Sequence, residues 1–158
     1  MLQQIDASEL VRPVPLGEVR RFEVPDVERH GGWMLARIVT TYPHINNRNV
    51  VGWLRSIVYQ SEFMFLFLDD AVALAEAVRA NTFSPTTTVV ERWVWARDPK
   101  NKEHVQSAAR FYARFKTWAK HLDATQLVVG EASDVPLDMI EAALEGKLVE
   151  RRQKYMRL

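Results

Sequence analysis

The chain has 158 residues, 47% of them hydrophobic and 26% charged, with a formal net charge of +1. That is the composition of one globular domain with enough apolar material to build its own core. With no cysteine, disulfides, thiolate nucleophiles and cysteine-held zinc or iron–sulfur centres are excluded, and the near-neutral charge argues against nucleic acid as a partner.

Residues 1–10 carry neither a basic start nor an apolar run, so no secretory signal is expected and the protein is read as cytoplasmic, or packaged from the cytoplasm into a larger particle. Pro13 and Pro15 forbid a continuous helix and predict a short first strand or an extended arm. Pro25, Asp26 and Glu28 resemble a helix start, which Gly31 and Gly32 are expected to interrupt. Trp33, Met34, Arg37, Ile38 and Thr41 then recur at helical spacing until Pro43 stops the run. Asn46, Asn47 and Asn49 offer caps to a second helix over 48–59, with Val50, Trp53, Leu54, Ile57 and Val58 on one face.

Phe63–Leu68 is continuously apolar, predicts a strand buried on both faces, and is far too short to cross a bilayer. Residues 71–80 are ambiguous: propensity favours a helix, whereas the alternation of Val72, Leu74 and Val78 with alanines favours a strand. Residues 89–97 read as a central strand with Val89, Glu91, Trp93, Trp95 and Arg97 on one face, so that Glu91 lies among tryptophans. Past a polar turn with Pro99, residues 102–121 form one amphipathic helix burying Val105, Ala108, Phe111, Tyr112, Phe115, Trp118 and Ala119. Its start, aimed out of the end of a strand, offers unpaired amides to an anion.

A short strand follows at 126–129. Asp134 and Pro136 then open a helix over 137–144, which Gly146 is expected to end in left-handed geometry. Residues 148–158 alternate as a charged edge strand. Two basic runs stand out. Arg110, Arg114, Lys116, Lys120 and His121 read as a solvated helix face, and Lys147, Arg151, Arg152, Lys154 and Arg157 as a basic edge, with a phosphate ligand or an acidic protein as the sharper alternative. The scattered His30, His44 and His121 have no metal-binding spacing. Trp33 and Trp53 read as core; Trp93 and Trp95 either fill a core or line an acyl pocket.

Two helices, a three-strand meander, a long helix, a strand, a helix and a closing strand resemble the order of the GNAT (Gcn5-related N-acetyltransferase) superfamily, most closely over residues 63–148. Residues 115–130, FKTWAKHLDATQLVVG, are similar to the family's helix end and following strand. Residues 142–158, AALEGKLVERRQKYMRL, are similar to its closing elements. The resemblance implies a mixed α/β sheet with an antiparallel meander and a splayed parallel pair, flanked by helices on both faces, and it decides residues 71–80 in favour of a strand. It also implies acetyl-CoA as cofactor, held at Arg97, Lys102, His104, Val105 and Ser107. Glu91, eight residues before Pro99, would be the base that deprotonates an amine.

The match departs from the family at Val105, which stands where the cofactor turn has its first glycine and crowds the approach of a pyrophosphate. The tyrosine that protonates the leaving thiolate would fall near Ala142, so that Tyr112 or Tyr155 would have to supply the acid. Two functions follow from the resemblance. One is an acetyltransferase-like module with an eroded cofactor site, resembling short bacteriophage-encoded chains of this fold and serving as a structural or binding part of a larger assembly, even a virion. The other is an active acyl-CoA dependent N-acetyltransferase acting on a small amine or a protein amino group.

Overall fold

A computed structural model describes residues 18–44, 47–79 and 86–150. The proline-containing arm, the cap at Asn46, most of the loop before Thr87 and the tail with Tyr155 lie outside the described residues. The elements are β1 (Arg20–Arg21), α1 (Val24–Thr41), α2 (Asn47–Val58), β2 (Phe63–Leu68), β3 (Ala71–Arg79), β4 (Thr87–Ala96), α3 (Lys102–Ala109), α4 (Phe111–His121), β5 (Gln126–Val128) and α5 (Leu137–Leu144). They build a five-stranded sheet in sequence order, antiparallel from β1 to β4 and parallel between β4 and β5.

The sheet separates two apolar layers. On one face Phe65, Phe67, Val72, Leu74, Trp93 and Trp95 pack against Val27, Met34 and Ile38 of α1 and Val50, Leu54 and Ile57 of α2. On the other, Met64, Leu66, the alanines of β3, Val94 and Ala96 meet Ala108, Phe111, Tyr112, Phe115, Trp118 and Ile140. Residues 71–79 are therefore extended, with alanines facing α3 and α4 while Val72 and Leu74 face α1 and α2. Tertiary burial on both faces overrides the helical propensity of this segment.

Four features correct the sequence-based reading. First, α1 runs unbroken through Gly31 and Gly32. Two helical glycines cost about 2 kcal/mol, while burying Val27, Met34 and Ile38 returns roughly 1.5–3 kcal/mol each, so packing wins. At its start the Asp26 carboxylate accepts from the Glu23 N–H at 2.8 Å and receives both guanidinium nitrogens of Arg20. Second, the helix over 102–121 divides at Arg110, whose N–H bonds back to Ser107 O at 3.1 Å. Third, the expected solvated basic face is partly internal: Arg110 and Arg114 are buried, and Arg114 Nη1 donates to Val19 O at 3.2 Å. Fourth, Trp53 is 40% exposed rather than core.

The C-terminal end differs too. Glu145, at φ 54°, takes the left-handed cap assigned to Gly146, and residues 148–150 are not a strand, the rest of that expected strand lying outside the described residues. Among the described residues no helix is long and apolar enough to cross a membrane.

Candidate functional site: the parting of β4 and β5

The decisive local feature is a β-bulge in β4. Leu74 faces Trp93 and Ala75 faces Glu91, so Arg92 is an extra residue. A bulge reverses the inside–outside alternation beyond it and bends the strand. Val89 and Glu91 therefore face α4, while Trp93 and Trp95 turn to the α1 and α2 side. Glu91 is consequently not surrounded by the tryptophans, contrary to the plain alternation of the sequence. Arg92 itself is exposed and pairs with Glu76, Nε to Oε2, at 2.7 Å.

At the same level β4 and β5 part. Thr88, Val89 and Val90 pair with Gln126, Leu127 and Val128, after which residues 129–131 leave the ladder. The chain then returns to the edge of β4. The Val94 N–H donates to Ala132 O at 3.1 Å, and the Asp134 N–H donates to Val94 O at 3.0 Å. The Asp134 carboxylate extends this ladder, one oxygen accepting from the Ala96 N–H at 2.9 Å and the other from Arg37 Nη2 at 2.8 Å. Residues 130–134 thus form a strap across the gap between the two strands.

Glu91 fills the space beneath the strap. It is 4% exposed; one carboxylate oxygen accepts from the Tyr112 hydroxyl, and the other from the N–H groups of Gly130 at 3.1 Å and Ala132 at 3.3 Å. Burial raises its pKa above the ordinary glutamate value, outweighing the hydrogen bonds from Tyr112 and the two amides, which favour the charged form. The Tyr112 phenol is pushed up in turn by burial and by the adjacent carboxylate, which makes it a donor throughout the ordinary pH range. Its oxygen also lies 2.6 Å from Ser133 Oγ, which accepts from the Val135 N–H at 3.0 Å. Gly130 has φ +89°, and a Cβ there would meet a Leu137 methyl carbon at 3.0 Å, so both the turn and its neighbour call for glycine.

The residues that the resemblance assigns to a cofactor are dispersed. Arg97 and Lys102 lie at the surface or near it, and the Arg97 N–H is taken by Asp70 O at 2.8 Å. The His104 ring nitrogen Nδ1 accepts from the Asp98 N–H at 3.1 Å. Ser107 is 1% exposed and points inward, donating to Asp70 Oδ2 at 3.0 Å. Val105 packs partly buried against the core. Two of the amides at the start of α3 are already taken, because the Asn101 side chain accepts from Glu103 N at 3.0 Å and His104 N at 3.4 Å. Asn101→Ala is expected to cost about 1 kcal/mol and to speed amide exchange of Glu103 and His104, measurable by urea titration and hydrogen exchange.

Trp93 and Trp95 line no open pocket. Their rings stack at 4.3 Å and 10°, Phe65 meets Trp93 edge-on at 5.3 Å, and the Arg37 guanidinium covers Trp95 at 5.1 Å. Tyr112, Ser133, Asp134 and Arg37 were not assigned together from the sequence. Arg37 and Asp134 are 97 residues apart; the sequence marks Arg37 only as a position in a helical repeat and Asp134 only as a residue just ahead of a helix-opening proline. Among the described residues no cluster of His, Cys, Asp and Glu could hold a metal ion.

No protein-family model matches the sequence, and a search of curated proteins finds no match to it. Solved structures are similar in fold. An acetyltransferase of Trypanosoma brucei superposes with a TM-score of 0.63 at 13% identity, covering 89% of this chain and 99% of its own. Glucosamine-6-phosphate N-acetyltransferase from Arabidopsis thaliana gives 0.61 at 11% identity, over 88% of this chain and 97% of its own. The aminoglycoside N-acetyltransferase AAC(6')-Iy, solved in complex with CoA, gives 0.53 at 16% identity, over 91% and 98%. At these identities the likeness is one of fold, and the fold is that of the GNAT acetyltransferases.

Proposed function

We propose that this GNAT-fold chain is an acetyltransferase-like module with an eroded acetyl-CoA site, acting as a binding or structural part of a larger assembly rather than as an acetyltransferase. The observation that carries this reading is the strap. An extended, amide-bearing arm such as that of coenzyme A would have to bond to β4 where Val94 and Ala96 already serve Ala132 and Asp134. Its pyrophosphate would meet a helix start capped by Asn101 and a valine at residue 105. The residues present do not fit the cofactor, and Glu91 acts as an internal acceptor that fixes the turn. The resemblance to short phage-encoded chains is the support for a virion-type particle formed in a host cytoplasm as the assembly.

Calorimetric titration with acetyl-CoA tests this directly. The expected outcome is no heat of binding at millimolar cofactor; saturable binding overturns the reading. The competing function, transfer of an acetyl group to a small amine or a protein amino group, is favoured by one observation: a buried carboxylate of raised pKa stands eight residues before Pro99. It requires binding in that titration and acetyl transfer abolished by Glu91→Gln.

A further inference from the structure

The strap shows what the edge of β4 recognises. Ala132 and Asp134 bond to Val94 on that edge as one parallel bridge about Ser133, Ser133 places a hydroxyl on Tyr112, and the Asp134 carboxylate is held between the Ala96 N–H and Arg37. Arg37 is itself fixed, its guanidinium carbon over the Trp95 ring and its second nitrogen 3.4 Å from Ala96 O. A guanidinium and a backbone amide converging on one carboxylate make a specific receptor for it, stronger than a neutral contact.

The strap contributes little else. Glu131 is exposed and Ala132, Ser133 and Asp134 are half-buried; apart from Ala132, which packs against the layer of Trp93 and Trp95, the fastenings are hydrogen bonds to groups on β4, α1 and α4. Segments held this way, with few apolar contacts, open at a cost well below that of global unfolding. Val135, by contrast, is buried and provides a fixed end from which such opening can hinge.

We propose that residues 130–134 are a built-in ligand, and that the module binds a protein partner by exchanging this strap for an extended partner segment of the same chemistry: small residue, hydroxyl, carboxylate. The inference rests on the reading of the chain as a binding module and names its partner class. Strand addition supplies the main-chain bonds, and the Arg37–Trp95–Ala96 corner reads the acid. The tethered strap competes at an effective concentration on the order of millimolar, so that only a partner presented at high local concentration, as within an assembly, displaces it.

The test uses the full chain and a blocked hexapeptide with the sequence of residues 130–135, GEASDV. Asp134→Ala removes the strap's carboxylate and is expected to bind the hexapeptide at least tenfold more tightly than the unaltered protein. Replacing the peptide's aspartate by asparagine, or adding Arg37→Ala to the protein, should reverse that gain. A folded Asp134→Ala protein that gains no affinity, or that binds both peptides alike, overturns the proposal. Should Asp134→Ala not fold, hydrogen exchange of the unaltered protein decides. The Val94 and Ala96 amides are expected to exchange at least tenfold faster than those in the middle of β3, and equal rates would show that the strap does not open. Binding of acetyl-CoA to the unaltered protein would undo the binding-module reading whatever the peptide does, which keeps the two failures distinct.

Discussion

Glu91→Ala is expected to destabilise the protein by about 2–4 kcal/mol, because a buried hydrogen-bonding group left without its partner costs roughly 1–3 kcal/mol. The substitution removes the acceptor of the Gly130 and Ala132 N–H groups and of the Tyr112 hydroxyl at once. Tyr112 retains Ser133, which keeps the total below the sum of three orphaned donors. Urea titration measures it, and a loss under 1 kcal/mol would mean that Glu91 does not fix the strap.

The pH dependence has a definite sign. A carboxylate whose pKa is raised in the folded state keeps its proton there after the unfolded chain has lost it, so the unfolded state binds fewer protons in that interval. Stability contributed by this site is therefore highest below the ordinary glutamate value of 4.5 and falls as pH rises through the raised folded value. Glu91→Gln removes that slope. The gap between Glu91→Gln and the unaltered protein should shift in favour of glutamine as pH rises through the window, and a gap independent of pH would contradict the assignment.

The second large effect is Trp93→Ala, expected to cost about 3–5 kcal/mol. Trp93 is 1% exposed, stacked on Trp95 and met edge-on by Phe65 beneath α1 and α2. A tryptophan lining an open acyl pocket would instead be lost at small cost. Trp53→Ala provides the internal comparison: 40% exposed, it should cost less than about 1 kcal/mol, although helical spacing places it on the apolar stripe.

Periodicity made most of the architecture legible. Phe63–Leu68, the helical stripe from Val105 to Ala119 and the short strand at 126 stand where their patterns put them, because each pattern reports which face is buried. Residues 71–79 carried two opposed signals, helical propensity and strand-like alternation, and the family's order of elements decided between them. Local propensity there opposes the fold, and burial from both sides decides it.

What escaped the sequence escaped for physical reasons. A one-residue bulge at Arg92 leaves no mark in the alternation of apolar residues, yet it moves Glu91 away from the tryptophans and onto Tyr112. Glycines at 31 and 32 signal a break unless the weight of Met34 and Ile38 is known. The strap unites residues 37, 91, 112 and 134. Such a constellation depends on register and on where a chain returns to a sheet, neither of which spacing encodes.

The central claim is that the edge of β4 is already occupied by the chain itself. The amide resonances of Val94, Ala96, Gly130 and Ala132, followed by NMR while acetyl-CoA is added to millimolar concentration, test it most directly. All four are expected to stay where they are; concerted movement of these four, with the strap amides losing their protection, would contradict it.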